Sequence, residues 1–371
     1  MLKKFRVSNF KSFEKDFELD LSDINGYEFN KDSIKNGIVN NALIYGHNGV
    51  GKSNLGLAIF DIIGHLTDKN INESIYLPYL NATNGAPIAH FVYEFLFGTN
   101  IVIYEYEKLD VKTTQFERLE INGNELAKID RKQSNRASIN FKGAETLNTE
   151  LTNKNLSLIK YIKSNSQLSN NLENNVFFTF YDFLESMLFF RSLDQNMYLG
   201  LETGSGGIQE DIIEKGNVLD LENFLNRAGI QCKLKVEKEL EKEVIAFDFN
   251  GKSISFYQIA STGTKSLTLF YYWLQRLREE SKVKFLFIDE FDAFYHHDLS
   301  AIIVEELKKT NIQFILTSHN TSIITNDLLR PDCYFLMTKN KIRSLSKSTP
   351  KELREAHNIE KMYKAGTFDV E

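Results

Sequence analysis

Four short constellations in this sequence have the residue types to handle a phosphate chain and a water molecule. Gly46-His47-Asn48-Gly49-Val50-Gly51-Lys52-Ser53 matches G-x-x-x-x-G-K-[ST] at every fixed position. Its glycines let backbone N–H groups wrap a β-phosphate, and a helix start adds a favourable dipole. Lys52 would reach the β- and γ-phosphates, Ser53 would ligate Mg²⁺, and Asn54 is counted with the loop as a nucleotide contact. Downstream, Phe285-Leu286-Phe287-Ile288 is an apolar run ending in Asp289-Glu290. Asp289 would hold the metal through a water, and Glu290 would orient or deprotonate the attacking water. The same pair could be a helix N-cap with an acidic first turn. A P-loop upstream favours the metal reading, and a bare binding site has no need of Glu290, so hydrolysis is expected. Ile312 to Leu316 reads as a buried strand that ends in Thr317-Ser318-His319. His319 at its tip is placed to sense a γ-phosphate, although His also serves as a plain polar cap at strand ends. Ser261-Thr262-Gly263-Thr264-Lys265 precedes an amphipathic helix. Ser261 and Gly263 can bind an anion through hydroxyl and backbone N–H, or Ser261 can be an N-cap; spacing does not decide.

These groups need rigid elements behind them. A strand from about Ile38 to Tyr45 leads into the glycine-rich turn, and a helix follows with apolar residues at Leu55, Ala58, Ile59, Ile62, Ile63 and Leu66. Alternation at Phe5 and Val7, and at Phe17, Leu19 and Leu21, predicts opening strands. Aromatic and β-branched runs between His90 and Ile129, with a hairpin turn at Asn122-Gly123, predict antiparallel sheet. From about 145 to 228 Asn, Ser, Leu and Lys dominate, and helical patterns such as Leu156 to Ile162 and Phe183 to Phe190 predict a helical lobe. Gly204-Ser205-Gly206-Gly207 within it reads as a plain loop, because no helix-opening Lys-Ser follows. Strands are expected again at Val244 to Phe249 and Ile254 to Phe256. After them a helix at Ser266 to Glu280, a strand at Phe285 to Ile288, a helix at Ser300 to Lys309, the Gln313 strand and a helix near Thr321 to Leu329 alternate in parallel-sheet order. The chemistry-bearing residues then fall at the carboxyl ends of strands, where open α/β sheets bind ligands.

Composition narrows the partners. The 371 residues carry 44 Lys and Arg against 50 Asp and Glu, a net charge of -6, which argues against indiscriminate coating of nucleic acid. Cys232 and Cys333 have no metal or disulfide spacing and read as reduced thiols of a cytoplasmic protein. The apolar runs fall far short of the ~20 residues of a membrane helix, and the N-terminus lacks a signal-peptide core. Glu237 to Glu243 interleaves acids with lysines and reads as a solvated helix face.

Taken in order, the four motifs resemble those of ATP-binding-cassette ATPases, in particular the RecF, SMC and OLD-like branch. Phe5-Arg6-Val7-Ser8-Asn9-Phe10-Lys11-Ser12-Phe13 looks like that branch's opening strand and turn, and Ser261 to Lys265 is similar to its signature. Asp289-Glu290-Phe291-Asp292-Ala293 resembles the SMC acidic segment, and His319 matches the switch histidine. His296 stands where those proteins carry the D-loop aspartate. Asn358-Ile359-Glu360-Lys361-Met362-Tyr363 followed by Gly366 is similar to the tail of stand-alone prokaryotic ATPases of the branch. The resemblance implies an α/β fold: an ABC-type P-loop ATPase head with a mixed sheet core and an antiparallel N-terminal sheet, plus an inserted helical lobe. The head would comprise 1–144 and 229–371, the lobe 145–228. It further implies ATP and Mg²⁺ as ligands and a head-to-tail homodimer, or a higher homo-oligomer, in which Ser261 and Gly263 of one copy cap the γ-phosphate bound by the other. Members without a long coiled coil often stand beside phage-defence and abortive-infection genes, where the ATPase regulates a nuclease or toxin effector.

Three readings compete. An ATP-gated switch acting on a protein effector leads. A RecF-like DNA-binding ATPase of repair is kept alive by Arg131-Lys132 with Arg136 and by Lys3-Lys4-Arg6 with Lys11. A transporter ATPase is disfavoured by the opening strand-turn and the inserted lobe. A GTPase is disfavoured because no Asn-Lys-x-Asp appears to read guanine.

Overall fold

The computed structural model describes residues 1–368 except 70–71, 192–196, 201–206, 240–241, 279–282 and 294–296, with backbone alone for 191, 197–200 and 297–298. Its core is a seven-stranded mixed sheet in the order Met197–Gly200, Met187–Arg191, Phe285–Asp289, Gln313–Thr317, Asn41–Tyr45, Tyr334–Met337, Ile342–Ser344. The five inner strands run parallel, with Phe189 opposite Phe287, Phe287 opposite Ile315 and Ile315 opposite Ala42; both edge strands are antiparallel. Every residue of Asn41–Tyr45, Phe285–Asp289, Gln313–Thr317 and Tyr334–Met337 is buried. A parallel sheet covered on both faces demands such runs.

The second sheet is antiparallel and also seven-stranded, in the order Ser138–Ile139, Asn124–Asp130, Thr114–Ile121, Asn100–Lys108, Ala89–Phe97, Leu2–Ser8, Phe17–Asp20. Asn122 and Gly123 both take positive φ in the tight turn that joins two of its strands, as their side chains permit. Helix Lys52–Leu66 lies between the sheets. Toward the core sheet, the Phe60 ring sits 5.3 Å from Phe189, and a Cβ on Gly56 would stand 2.8 Å from the Phe287 ring. Toward the other sheet, the Tyr93 hydroxyl donates to the Ala58 carbonyl at 2.9 Å. Lys108, inward-facing on its strand, donates to the buried Asp61 carboxylate at 3.0 Å, and Tyr79 and Tyr106 donate to the same group. The expected apolar stripe is therefore only part of the story, since Leu57 and Phe60 are buried as well. A helix buried on nearly all sides belongs between two layers, with its buried Asp61 carboxylate satisfied by the second sheet.

Segment 145–228 contains helices Leu158–Asn165, Leu172–Glu185, Ile208–Glu214 and Val218–Arg227, yet it is not wholly helical. The run expected as helix from Phe183 to Phe190 stops being helical at Glu185, and Met187–Arg191 enters the core sheet beside Phe285–Asp289. A short run of large apolar residues fits a buried strand as well as a helix, and pairing with a neighbouring apolar strand selects the strand. Helix Leu158–Asn165 is fastened to the antiparallel sheet by Glu117. This fully buried carboxylate accepts from the Leu158 and Ile159 amides at 2.7 and 3.1 Å and from the Ser157 and Tyr104 hydroxyls. An anion at a helix N-terminus meets unpaired amides and a favourable dipole. Ser157 also caps the helix through the Lys160 amide at 3.2 Å. Ser157→Ala is expected to lower unfolding free energy by about 1–2 kcal/mol, read from the urea midpoint at unchanged slope.

Three other expectations are corrected. Glu237 to Glu239 and Lys242 to Glu243 lie on paired antiparallel strands, Leu234–Glu239 and Lys242–Phe249, with Lys238 opposite Glu243; alternating charges suit a solvated strand as readily as a helix face. The helix expected from Ser266 begins at Thr262 and runs to Arg278, taking in the signature itself. Instead of a helix at Thr321 to Leu329 there is a 3-10 turn, Thr321–Ile323, capped at its start by Asn320 through the Ser322 amide and ended at Ile324, whose ψ of 78 leaves the helical region. His296 and Gly204 to Gly206 lie outside the described residues.

Candidate functional site

Asn41–Tyr45 delivers the chain to the glycine-rich loop, and Gly51 closes the loop at φ 105 as the residue before helix Lys52–Leu66. Gly49 is also at positive φ (80), a region that costs glycine little. No side chain caps this helix and its first turn holds no acid, so its amides and positive dipole end face the loop. Ser12, from the opening strand-turn, packs directly against Gly51 and accepts from the Asn54 amide group at 3.0 Å. The N-terminal turn is thus a floor under the loop, and Asn54 faces that floor. Lys52 folds its ammonium onto the carbonyls of Gly46 at 2.8 Å and His47 at 3.2 Å. Burial lowers its pKa, opposed by the nearby Glu290 and Asp289 carboxylates.

On the neighbouring strands, Thr317 is fully buried and uses its hydroxyl twice. It donates to Asp289 Oδ1 at 2.8 Å and accepts from the Glu290 amide at 2.7 Å. The Phe291 amide donates to the Thr317 carbonyl at 3.1 Å. Glu290 sits at φ 49, the left-handed region, which costs a non-glycine residue on the order of 1 kcal/mol or more. That turn points its carboxylate at His319, with Oε1 3.8 Å from Nε2. Two residues beyond Glu290, Asp292 accepts from Ser318 at 2.6 Å and Ser300 at 3.3 Å, while Asn320 donates to Ser300. Burial raises the Asp292 pKa, with the Ser318 hydrogen bond opposing it.

A cleft of about 480 Å³ opens between the glycine-rich loop and His319, lined by Tyr45, Gly46, His47, Asn48, Ser318, His319, Thr321 and Tyr363. Tyr363 comes from the C-terminal helix Ile359–Lys364, which Asn358 caps through the Lys361 amide. The loop before that helix is held by Asn326, whose side-chain amide donates to the Arg354, Glu355 and His357 carbonyls. Ser261 and Gly263 are not in this lining. Ser261 is exposed and accepts from the Thr264 amide at 3.1 Å, so within one chain it is an N-cap.

Ser53 in the first helical turn and Asp289 at the strand end offer the hard oxygen donors Mg²⁺ prefers. Among the described residues no group of three or more His, Cys, Asp and Glu could hold a metal ion. Of the residues that matter here, sequence reasoning gave no task to Thr317, Ser318, Asp292, Ser12 or Tyr363. A pair of hydroxyls at a buried strand tip, just before the candidate sensor, was the available signal for the first two.

A family model described as "AAA domain, putative AbiEii toxin, Type IV TA system" matches residues 42–325. Among solved structures, the chain is similar to the SMC head domain from Thermotoga maritima (16% identity, 92% of this chain and 98% of that one, TM-score 0.42). It is also similar to an SmcHead bound to the C-winged helix domain of ScpA (16%, 93% and 98%, TM-score 0.44) and to the recombination mediator RecF with ATP (14%, 93% and 99%, TM-score 0.39). No curated protein matches it. Because the family match takes in the glycine-rich loop, the acidic strand and His319, over most of the chain, the protein belongs to this AAA-domain family.

Proposed function

We propose that the chain is an ATP-hydrolysing switch that pairs through bound ATP and controls a partner protein. The observation that carries this reading is the Glu290–His319 pair, held at the tips of two core strands beside the glycine-rich loop. On ATP binding, Lys52 exchanges the Gly46 and His47 carbonyls for β- and γ-phosphate oxygens. Ser53 and Asp289 would hold Mg²⁺, which when bound would supply charge neutralisation on the phosphates. Glu290 orients the attacking water and takes its proton, and His319 holds the γ-phosphate by hydrogen bond. Ser261, exposed at the start of helix Thr262–Arg278, is free to meet the nucleotide of a second copy, where Gly263 adds its amide. The family's description speaks of a toxin–antitoxin system, which supports a cytoplasmic protein effector in antiviral defence over a role in repair.

Charge pairing points the same way. Of the basic clusters that kept DNA alive, Lys3 pairs with Glu94, Lys4 with Asp20, Arg6 with Glu18 and Lys132 with Glu107. Arg131 is buried and donates to the Thr114 and Leu156 carbonyls. Cations already matched to carboxylates release few counterions from a duplex. Phosphate release from ATP is therefore expected to be unchanged by saturating duplex DNA at low salt. Stimulation several-fold, lost at high salt, would favour the repair reading; no release at all would end the ATPase reading.

A further inference from the structure

We infer that Thr317 is the positioning residue that sets Glu290 for attack, an inference that rests on the hydrolytic reading above. The hydroxyl has one proton and its lone pairs, and both are committed. The proton goes to Asp289 Oδ1, and a lone pair receives the Glu290 amide. The two acids are adjacent in sequence but have different tasks, and one buried hydroxyl on the next strand fixes the relation between them. Without it, a strand entering a turn has no reason to hold a glutamate at φ 49. The left-handed turn is what brings the Glu290 carboxylate back toward His319, which stands two residues after Thr317 on the same strand end. Thr317 therefore ties the base to the γ-phosphate sensor through a single register, the pairing of Phe285–Asp289 with Gln313–Thr317. The Phe291 amide on the Thr317 carbonyl closes the turn from its far side.

Thr317 is fully buried, with its hydroxyl committed to Asp289 and to the Glu290 amide, so its effect is transmitted through Glu290 rather than by touching nucleotide. Valine keeps the branched shape and volume but neither donates nor accepts, whereas serine keeps the hydroxyl. Thr317→Val is expected to lower kcat about 10²-fold, the loss typical of a misplaced reacting group. The affinity for ATP, measured by titration of a fluorescent analogue, stays within about twofold. Thr317→Ser keeps kcat within about threefold of the wild type, since the hydrogen-bonding oxygen is retained.

The decisive measurement is the double variant Thr317→Val with Glu290→Gln. A residue that acts only through Glu290 has nothing left to position once the carboxylate is gone, so the double variant should turn over no more slowly than Glu290→Gln alone. Additive losses, a Thr317→Ser variant as slow as Thr317→Val, or a Thr317→Val protein that no longer binds nucleotide would each overturn the inference. Wild-type protein that releases no phosphate would overturn it together with the hydrolytic reading. Wild-type turnover matched by Thr317→Val would overturn the inference alone.

Discussion

Glu290→Gln is expected to bind ATP normally, to hydrolyse it about 10²–10⁴-fold more slowly, and to accumulate as a dimer or higher assembly. Gln has the same shape and keeps the backbone amide that donates to Thr317, so the turn at φ 49 survives. What is lost is the negative oxygen 3.8 Å from His319 that can accept a proton from water. Charge is also removed beside Lys52, whose ammonium then meets less competition for phosphate oxygens. With the chemical step slowed and the site otherwise intact, the ATP state persists, and association that depends on it becomes visible. Single-turnover phosphate release measures the first effect and light scattering with and without ATP the second. A monomer under saturating ATP counts against the two-copy site, and near-normal turnover counts against Glu290 as the base. Turnover is read first, because association through bound ATP becomes visible only where hydrolysis is slowed.

Lys52→Ala is expected to weaken ATP binding by at least about 10²-fold, close to 3 kcal/mol. The ammonium is the loop's own cation, partly desolvated and folded onto two carbonyls of the same loop. Phosphates replace those carbonyls with a charge-assisted contact that alanine cannot make. Arginine is a poor substitute, because a planar guanidinium does not occupy the compact position of an ammonium within a loop that closes so tightly. Truncation should spare the fold, since the carbonyls released open on the cleft and can take up water. Nucleotide titration against an unchanged melting curve checks both statements. Retained ATP affinity would remove the glycine-rich loop from the site.

The elements legible in the sequence were those whose pattern has one structural solution. The glycine-rich loop needed a strand before it and a helix after it, and the apolar runs before Asp289 and after Ile312 were too short for helices. Asn122-Gly123 marked its turn, because few residue pairs tolerate positive φ twice in succession. Misreadings arose where two elements satisfy one pattern. Met187-Leu188-Phe189-Phe190 was apolar throughout, and only the neighbouring strand made it a strand. The mixed charges of Glu237 to Glu243 suited any exposed element, and the pairing of Leu234–Glu239 with Lys242–Phe249 decided the matter.

By itself, then, the sequence determined the kind of ligand and which residues are equipped to meet it, because glycine spacing, an ammonium and two acids carry their chemistry as residue types. It could not determine how those residues stand to one another. Glu290 meets His319, and Thr317 ties Asp289 to Glu290, only because two strands joined through a helix pair in one register. Ser12 lies beneath Gly51, and Tyr363 beside His319, for the same reason. Side-chain type is local, whereas distance and hydrogen-bond partnership depend on long-range packing that closes the sheet around a buried helix.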